Sequence, residues 1–193
     1  MIDFKSLAIQ TLKDPARAAD RILALGLDPA TIWTGFGLNV ALSALLYGVQ
    51  AASLGLPGNA LFPGLSPMIF GLFLAGLQLS YAWASILSAR WLGGQAPLLQ
   101  VLSLLVWLRF LNIAAQAVAI VLAFLSPPVA LLFNVAAAFY GLYVLAHFTN
   151  VAFGLNSLVK SSGVIVMAGL GAMAAVLLMM GLLIPTILET SHV

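Results

Sequence analysis

Five apolar runs, each longer than the roughly 20 residues that cross a hydrocarbon core, dominate this 193-residue chain. They fall at about 29–54, 67–92, 97–125, 129–153 and 163–188. A water-soluble fold cannot hide them: 63% of the residues are hydrophobic and 6% are charged, against about 25% charged in soluble domains. A transmembrane barrel would show segments of about ten residues with alternating polarity, and these runs are longer and apolar all round. The expected fold is an all-α integral membrane protein, a five-transmembrane-helix bundle over 29–193. A short amphipathic helical region over 1–28 precedes it.

The breakers agree with these limits. Asp14-Pro15 and Asp28-Pro29 each set an N-cap acceptor before a proline at the first helical position. Gly26 stops the helix begun at Pro15, Gly93-Gly94 ends the second span, and Ser126-Pro127-Pro128 ends the third. The basic residues then set an orientation. Lys5, Lys13, Arg17 and Arg21 precede the first span, and Arg90 ends the second. Arg109 lies in the first half of the third, and Lys160 sits between the fourth and fifth. The connections at 55–66 and 126–128 carry no charge. Cytoplasmic loops collect Lys and Arg, so the amino terminus is expected in the cytoplasm and the carboxyl terminus outside.

The helix begun at Pro15 holds Arg17 and Arg21 one turn apart, with Ala19, Ile22 and Leu23 turned away from them. Such a helix lies on the inner leaflet, its apolar side chains dipped in and Lys13, Arg17 and Arg21 near lipid phosphates. The plainer alternative is a cytosolic helix packed under the bundle.

Within the spans, Gly76, Ser80, Ala84 and Ser88 recur every four residues and form a groove that another helix can approach closely. Ala168, Gly171, Ala172 and Ala175 do something similar in the fifth span. Packing inside the bundle is the plainer reading of both, and a dimer interface the sharper one. The third span carries Arg109, Asn112 and Gln116 on one side, and the fourth carries Tyr140, Tyr143, His147 and Asn150. Counted from the turn the two spans share, these stripes lie at similar heights. In an antiparallel hairpin they are expected to meet, because isolated polar groups in lipid are costly. They would then be interhelical glue, with Arg109 snorkelling to the headgroups, or the lining of a pocket for a solute or lipid.

The absences narrow the chemistry. No Asp or Glu lies within a span; Glu189 is at the outer end of the fifth. The chain lacks cysteine, and His147 is the one histidine within the spans, His192 being in the tail. Thiol chemistry, bis-histidine haem and paired-carboxylate hydrolysis are therefore excluded, and no phosphate-loop or dinucleotide motif is present. No catalytic residue, metal site or cofactor is expected. Seven basic and five acidic residues give no footprint for nucleic acid. The leading expectation is a non-enzymatic scaffold or accessory subunit that associates with a larger membrane assembly or with itself. Membrane lipids and other membrane proteins are its partners. The runner-up is a small transporter, channel or lipid-moving protein with a polar pocket between the third and fourth spans. A coenzyme-binding electron carrier ranks last.

Several short segments carry a family resemblance. Leu12-Lys-Asp-Pro15, Ile22-Leu-Ala-Leu25 and Trp91-Leu-Gly-Gly-Gln-Ala-Pro97 are three of them. Leu105-Val-Trp-Leu-Arg-Phe-Leu111, Gln116-Ala-Val, Ala146-His-Phe-Thr-Asn150 and Phe153-Gly-Leu-Asn-Ser157 complete the set. Together they resemble bacterial members of the Yip1 family. The resemblance implies five spans, a cytosolic amino terminus, association with other membrane proteins, no established enzymatic activity and a place in a bacterial inner membrane. Arg109 departs from it, since a neutral polar residue, often Gln, is what the resemblance implies there.

Overall fold

Capping chemistry starts the helices of the bundle. The computed structural model describes residues 3–54 and 66–190, and among these it is helical with no strand. The elements are α1 (Phe4–Lys13), α2 (Pro15–Ala24), α3 (Pro29–Leu54), α4 (Pro67–Trp91), α5 (Leu98–Leu125), α6 (Pro127–Phe153) and α7 (Leu158–Thr190). Five of them, α3 to α7, are long and apolar enough to cross a membrane. The expected loop at 55–66, Ser66 excepted, and the tail with His192 lie outside the described residues.

Asp3, Asp14 and Ser66 accept the amides of Ser6, Arg17 and Ile69, which satisfies donors that a helix start leaves unpaired. Asp28 caps α3 twice, taking the Thr31 hydroxyl at 2.6 Å and the Thr31 amide at 3.0 Å. These two bonds hold the Asp28 carboxyl below the usual carboxylate range. Gly26 and Gly154 take left-handed φ of 55° and 62° just past α2 and at the end of α6. Two helices start earlier than their apolar runs. α6 begins at Pro127, because prolines fit a first turn that needs no amide donor. α7 begins at Leu158, because Ser157 accepts the Lys160 amide and is itself tied by its own amide to Asn150 Oδ1. Lys160 therefore rides on the first turn of α7 and not in a loop.

Three apolar clusters hold the helices together, and each contains residues of α5. Leu102 and Val106 pack with Ile32 and Phe36 of α3, and with Ala75 and Leu79 of α4. Val101 packs with Ala82 and Ile86 of α4, Phe153 of α6 and Val164 of α7. Leu104 and Leu108 pack with Val144 and Phe148 of α6, and with Ala18, Ala19 and Ile22 of α2. α4 and α7 cross closely: a Cβ built on Gly171 would stand 3.0 Å from the Ala84 Cβ, and Ala168 and Ala172 are buried beside it. Ala84, in the middle of the four-residue repeat, thus faces a helix of the same chain. Ser88 returns its hydroxyl to the Ala84 carbonyl.

The amino-terminal helices depart from the expected arrangement. The apolar face of α2 is not dipped into lipid, since Ala18, Ala19 and Ile22 are buried against α5 and α6. α5 and α6 run 28 and 27 residues, more than a hydrocarbon core requires, and the excess leaves apolar surface for α2 to cover. α1 is fastened over the same end. Trp107 Nε1 donates to Thr11 Oγ1 at 3.0 Å, and the Tyr140 hydroxyl donates to the Leu12 carbonyl. Arg21 donates to Gln10 Oε1 at 2.9 Å and Ser6 Oγ at 3.3 Å, while Arg17 pairs with Asp14 at 3.1 Å. Two of the three residues expected at lipid phosphates thus have partners within the chain, and Lys13 is exposed.

Two outcomes test this fold. A Cβ at Gly94 would stand 2.7 Å from Leu155 Cδ2 and 2.9 Å from the Phe153 carbonyl. Gly94→Ala should therefore destabilise the protein by about 1–3 kcal/mol, read as a lower melting temperature in detergent; an unchanged value would mean that the α4–α5 turn is not seated on the end of α6. The Asp28 cap has a pH signature. Its folded pKa is depressed, so its contribution is present above 3.8 and fades as pH falls through the lower folded value. The protection of the Thr31 amide, its exchange rate relative to the intrinsic rate at the same pH, should fall over that range, and in Asp28→Ala at neutral pH as well.

Candidate functional site

Three polar bonds tie α3 to α5. Asn39 Nδ2 donates to the Val106 carbonyl at 2.9 Å, Arg109 Nη2 to Ser43 Oγ at 3.3 Å, and Gln116 Nε2 to Gln50 Oε1 at 3.4 Å. The sequence separations are 67, 66 and 66 residues. A near-constant offset means that the two helices run parallel and in register along the whole seam. It also means that the Arg109 side chain reaches level across to α3. It does not run along its own helix to the headgroups, as snorkelling requires.

The polar stripes of α5 and α6 do not meet as expected. At 100° per residue, Arg109 and Gln116 are separated by about 20° around α5, and Asn112 by about 60° from Arg109. That spread lets α3 take the first and last, while Asn112 turns toward α6, its Oδ1 3.6 Å from where a Cβ on Gly141 would stand. On α6, Tyr140, Tyr143 and His147 form an aromatic ladder, with ring centroids 5.8 and 4.6 Å apart. The ladder leads to α1 through Tyr140. Asn150 serves the start of α7, its Oδ1 accepting the Ser157 amide at 2.9 Å. The expected cluster is thus divided: Arg109 and Gln116 bond to α3, Tyr140 to α1 and Asn150 to the start of α7, while Asn112 is turned toward α6.

Asn39, Ser43 and Gln50 were not singled out from the sequence, though the signal is there. At offsets of four and eleven residues they share one face of the first span. Nor did sequence reasoning select Gln78 and Tyr81 of α4. The structure buries Gln78 Nε2, the Tyr81 hydroxyl and Asn39 Oδ1 without a hydrogen-bond partner. Tyr81 borders a cavity of about 20 Å³ with Ser85, Leu105, Phe148 and Thr149. No group of three or more potential metal ligands comes together among the described residues.

Parallel spans joined by amides and a guanidinium, inside helices with apolar outer faces, define a polytopic helical membrane protein. The model of the Yip1 domain matches residues 9–182, nearly the whole chain. The protein belongs to the Yip1 family, a membrane protein family not known as enzymatic. No curated protein and no solved structure matches it.

The seam carries its own test. A double-mutant cycle with Gln50→Leu and Gln116→Leu should return a coupling of about 0.6 kcal/mol, the usual size for an interhelical hydrogen bond in a membrane protein. Additive losses in denaturation of the micelle-bound protein would place the two amides out of contact.

Proposed function

We propose that this protein is a non-enzymatic scaffold or accessory subunit that works by lateral helix–helix association with another membrane protein or a second copy of itself. Its amino terminus is cytoplasmic, as the one-sided distribution of Lys and Arg supports, and its membrane is a bacterial inner membrane. The observation that carries the reading is the bareness of α6. Within its most apolar window 11% of the residues are buried, against 22–28% in the other four spans. The outer half exposes Leu131, Leu132, Asn134, Ala136, Ala138 and Phe139. Asn134 is an amide exposed on a hydrocarbon-facing helix, where an interhelical partner is favourable, and the alanines beside it allow close approach. The small-residue repeat of α4 offers no such surface at Ala84, where Gly171 already abuts it.

A transporter, channel or lipid-moving role has less support. The cavity of about 20 Å³ beside Tyr81, between the spans, has room for about one water, and the wider pocket of about 540 Å³ is lined by Arg90, Gln95, Ala96 and Pro97 at the α4–α5 turn, not by the polar residues of α5 and α6.

Cysteine cross-linking tests the association. The chain has no cysteine, so one introduced thiol reports on one position. Leu132→Cys and Phe139→Cys should yield oxidised cross-links in native membranes, whereas Leu170→Cys on the exposed face of α7 should yield few. Asn134→Leu should reduce the α6 cross-links several-fold. Equal yields from α6 and α7 would overturn the reading. The mass of the product separates a second copy from another protein.

A further inference from the structure

Among the described residues, α1 presents an apolar stripe that the bundle leaves open. Phe4, Ala8 and Leu12 recur every four residues and lie within about 80° of one another around the helix. Phe4 is 65% and Leu12 59% exposed, and Ile9 beside them is exposed as well. The neighbouring face, with Leu7 and Thr11, is buried against the bundle. Apolar side chains scattered singly are ordinary on a protein surface, whereas a contiguous group marks a binding surface.

The contacts of α1 fix its height along the spans. Leu7 packs with Leu104, Leu108, Val144 and Phe148. The Phe4 ring stacks on Trp107 with centroids 6.2 Å apart. Thr11 Oγ1 accepts from the same Trp107, and the Leu12 carbonyl accepts from the Tyr140 hydroxyl. Trp107 stands about 14 Å along α5 from Leu98, and Tyr140 about 20 Å along α6 from Phe153. The 28 residues of α5 extend about 42 Å, about 12 Å more than a hydrocarbon core of about 30 Å. The excess falls at the Leu98 end. The other end stays apolar up to its turn, with Phe124 and Leu125 exposed, whereas Gln95, Gln100, Asn150 and Asn156 gather at the Leu98 end. Trp107 and Tyr140 therefore stand at the hydrocarbon boundary or inside it, and α1 lies against them.

We infer that α1 is inserted in the membrane leaflet on the side of the amino terminus, with Phe4, Ile9 and Leu12 against lipid acyl chains. A helix at that depth keeps its apolar side chains in the acyl layer and its basic ones among the headgroups. Lys5 and Lys13 are both exposed and lie on the flank beyond Leu12, where their long stems let the ammonium groups reach the headgroups. The carboxylates at the two ends of α1 are engaged within the chain. Asp3 accepts the Ser6 amide, and Asp14 accepts the Arg17 amide and pairs with its guanidinium. Lipid contact thus belongs to α1 and not to α2, whose apolar face is packed on α5 and α6. This surface is separate from the outer half of α6, so it stands or falls independently of lateral association.

Single cysteines read the depth, because the chain has none of its own. Phe4→Cys and Leu12→Cys in the full chain would each carry a small fluorophore, in phosphatidylcholine vesicles. Iodide quenches the label from water, and a phospholipid with a nitroxide high on its acyl chain quenches it from the acyl layer. Asp20→Cys, on the exposed side of α2, is the water reference, and Leu170→Cys, on the exposed face of α7, is the lipid reference. Labels at Phe4 and Leu12 should be quenched by the nitroxide lipid several-fold more than the Asp20 label, approaching the Leu170 label, and by iodide several-fold less. Ile9→Cys gives a third reading from the same helix where a label at Phe4 loosens the stack on Trp107. Iodide quenching equal to that of the Asp20 label would put α1 in water. Shielding from both quenchers would mean that protein, not lipid, covers the stripe. Either result overturns the inference.

Discussion

A polar side chain inside hydrocarbon has no water to turn to, and that constraint sets the contact between α3 and α5 on which the rest of the bundle depends. Asn39, Ser43 and Gln50 would be liabilities on an isolated span, as would Arg109 and Gln116. Laid side by side in parallel register, the two helices give most of these groups a partner at once. Register follows for the same reason. A slip of one residue would rotate each polar group by about 100° and open all three bonds together.

With that seam in place, α5 becomes the helix around which the others pack. From Val101 to Leu108 every residue but Ser103 joins one of the three apolar clusters: one toward α3 and α4, one toward α4 and α7, one toward α6 and α2. The amino-terminal helices then cover the surface left at one end of the α5–α6 hairpin. Hydrogen bonds from Trp107 and Tyr140 fix their position. What remains is an asymmetric molecule. Its polar groups are concentrated on one side of α5, while α6 presents an apolar, alanine-rich outer half to its surroundings. Among the described residues that half is mostly exposed, whereas Gly171 already abuts Ala84 in the α4 repeat.

Much of the fold was legible because membrane insertion writes itself into composition. Run lengths mark the spans, and Asp-Pro and Gly-Gly pairs mark where helices start and stop. The Leu158 start of α7 was not legible. It depends on Asn150 holding the Ser157 amide, a contact that forms only once the turn is made. The candidate site was half legible. Arg109 stands out as a basic residue within the first half of the third span, and α5 carries its polar residues visibly. Chain order makes neighbours of α5 and α6 and so points to α6 for their partners, and the two helices do pack together. Face, not order, chose α3: Arg109 and Gln116 share an azimuth that Asn112 does not.

The sequence by itself determined the class of protein, the number of spans, the family and the side on which basic residues gather. Each of these follows from local chemistry, the transfer of a segment into lipid or the cost of moving a charge across it. Tertiary structure alone decided which polar groups became partners, that α2 covers protein and not lipid, and that Arg109 reaches level to Ser43 and not back to the headgroups. Those outcomes depend on which helix faces lie together. In an all-apolar sequence many faces are nearly equivalent in hydrophobicity, so the few groups that must hydrogen-bond select among them.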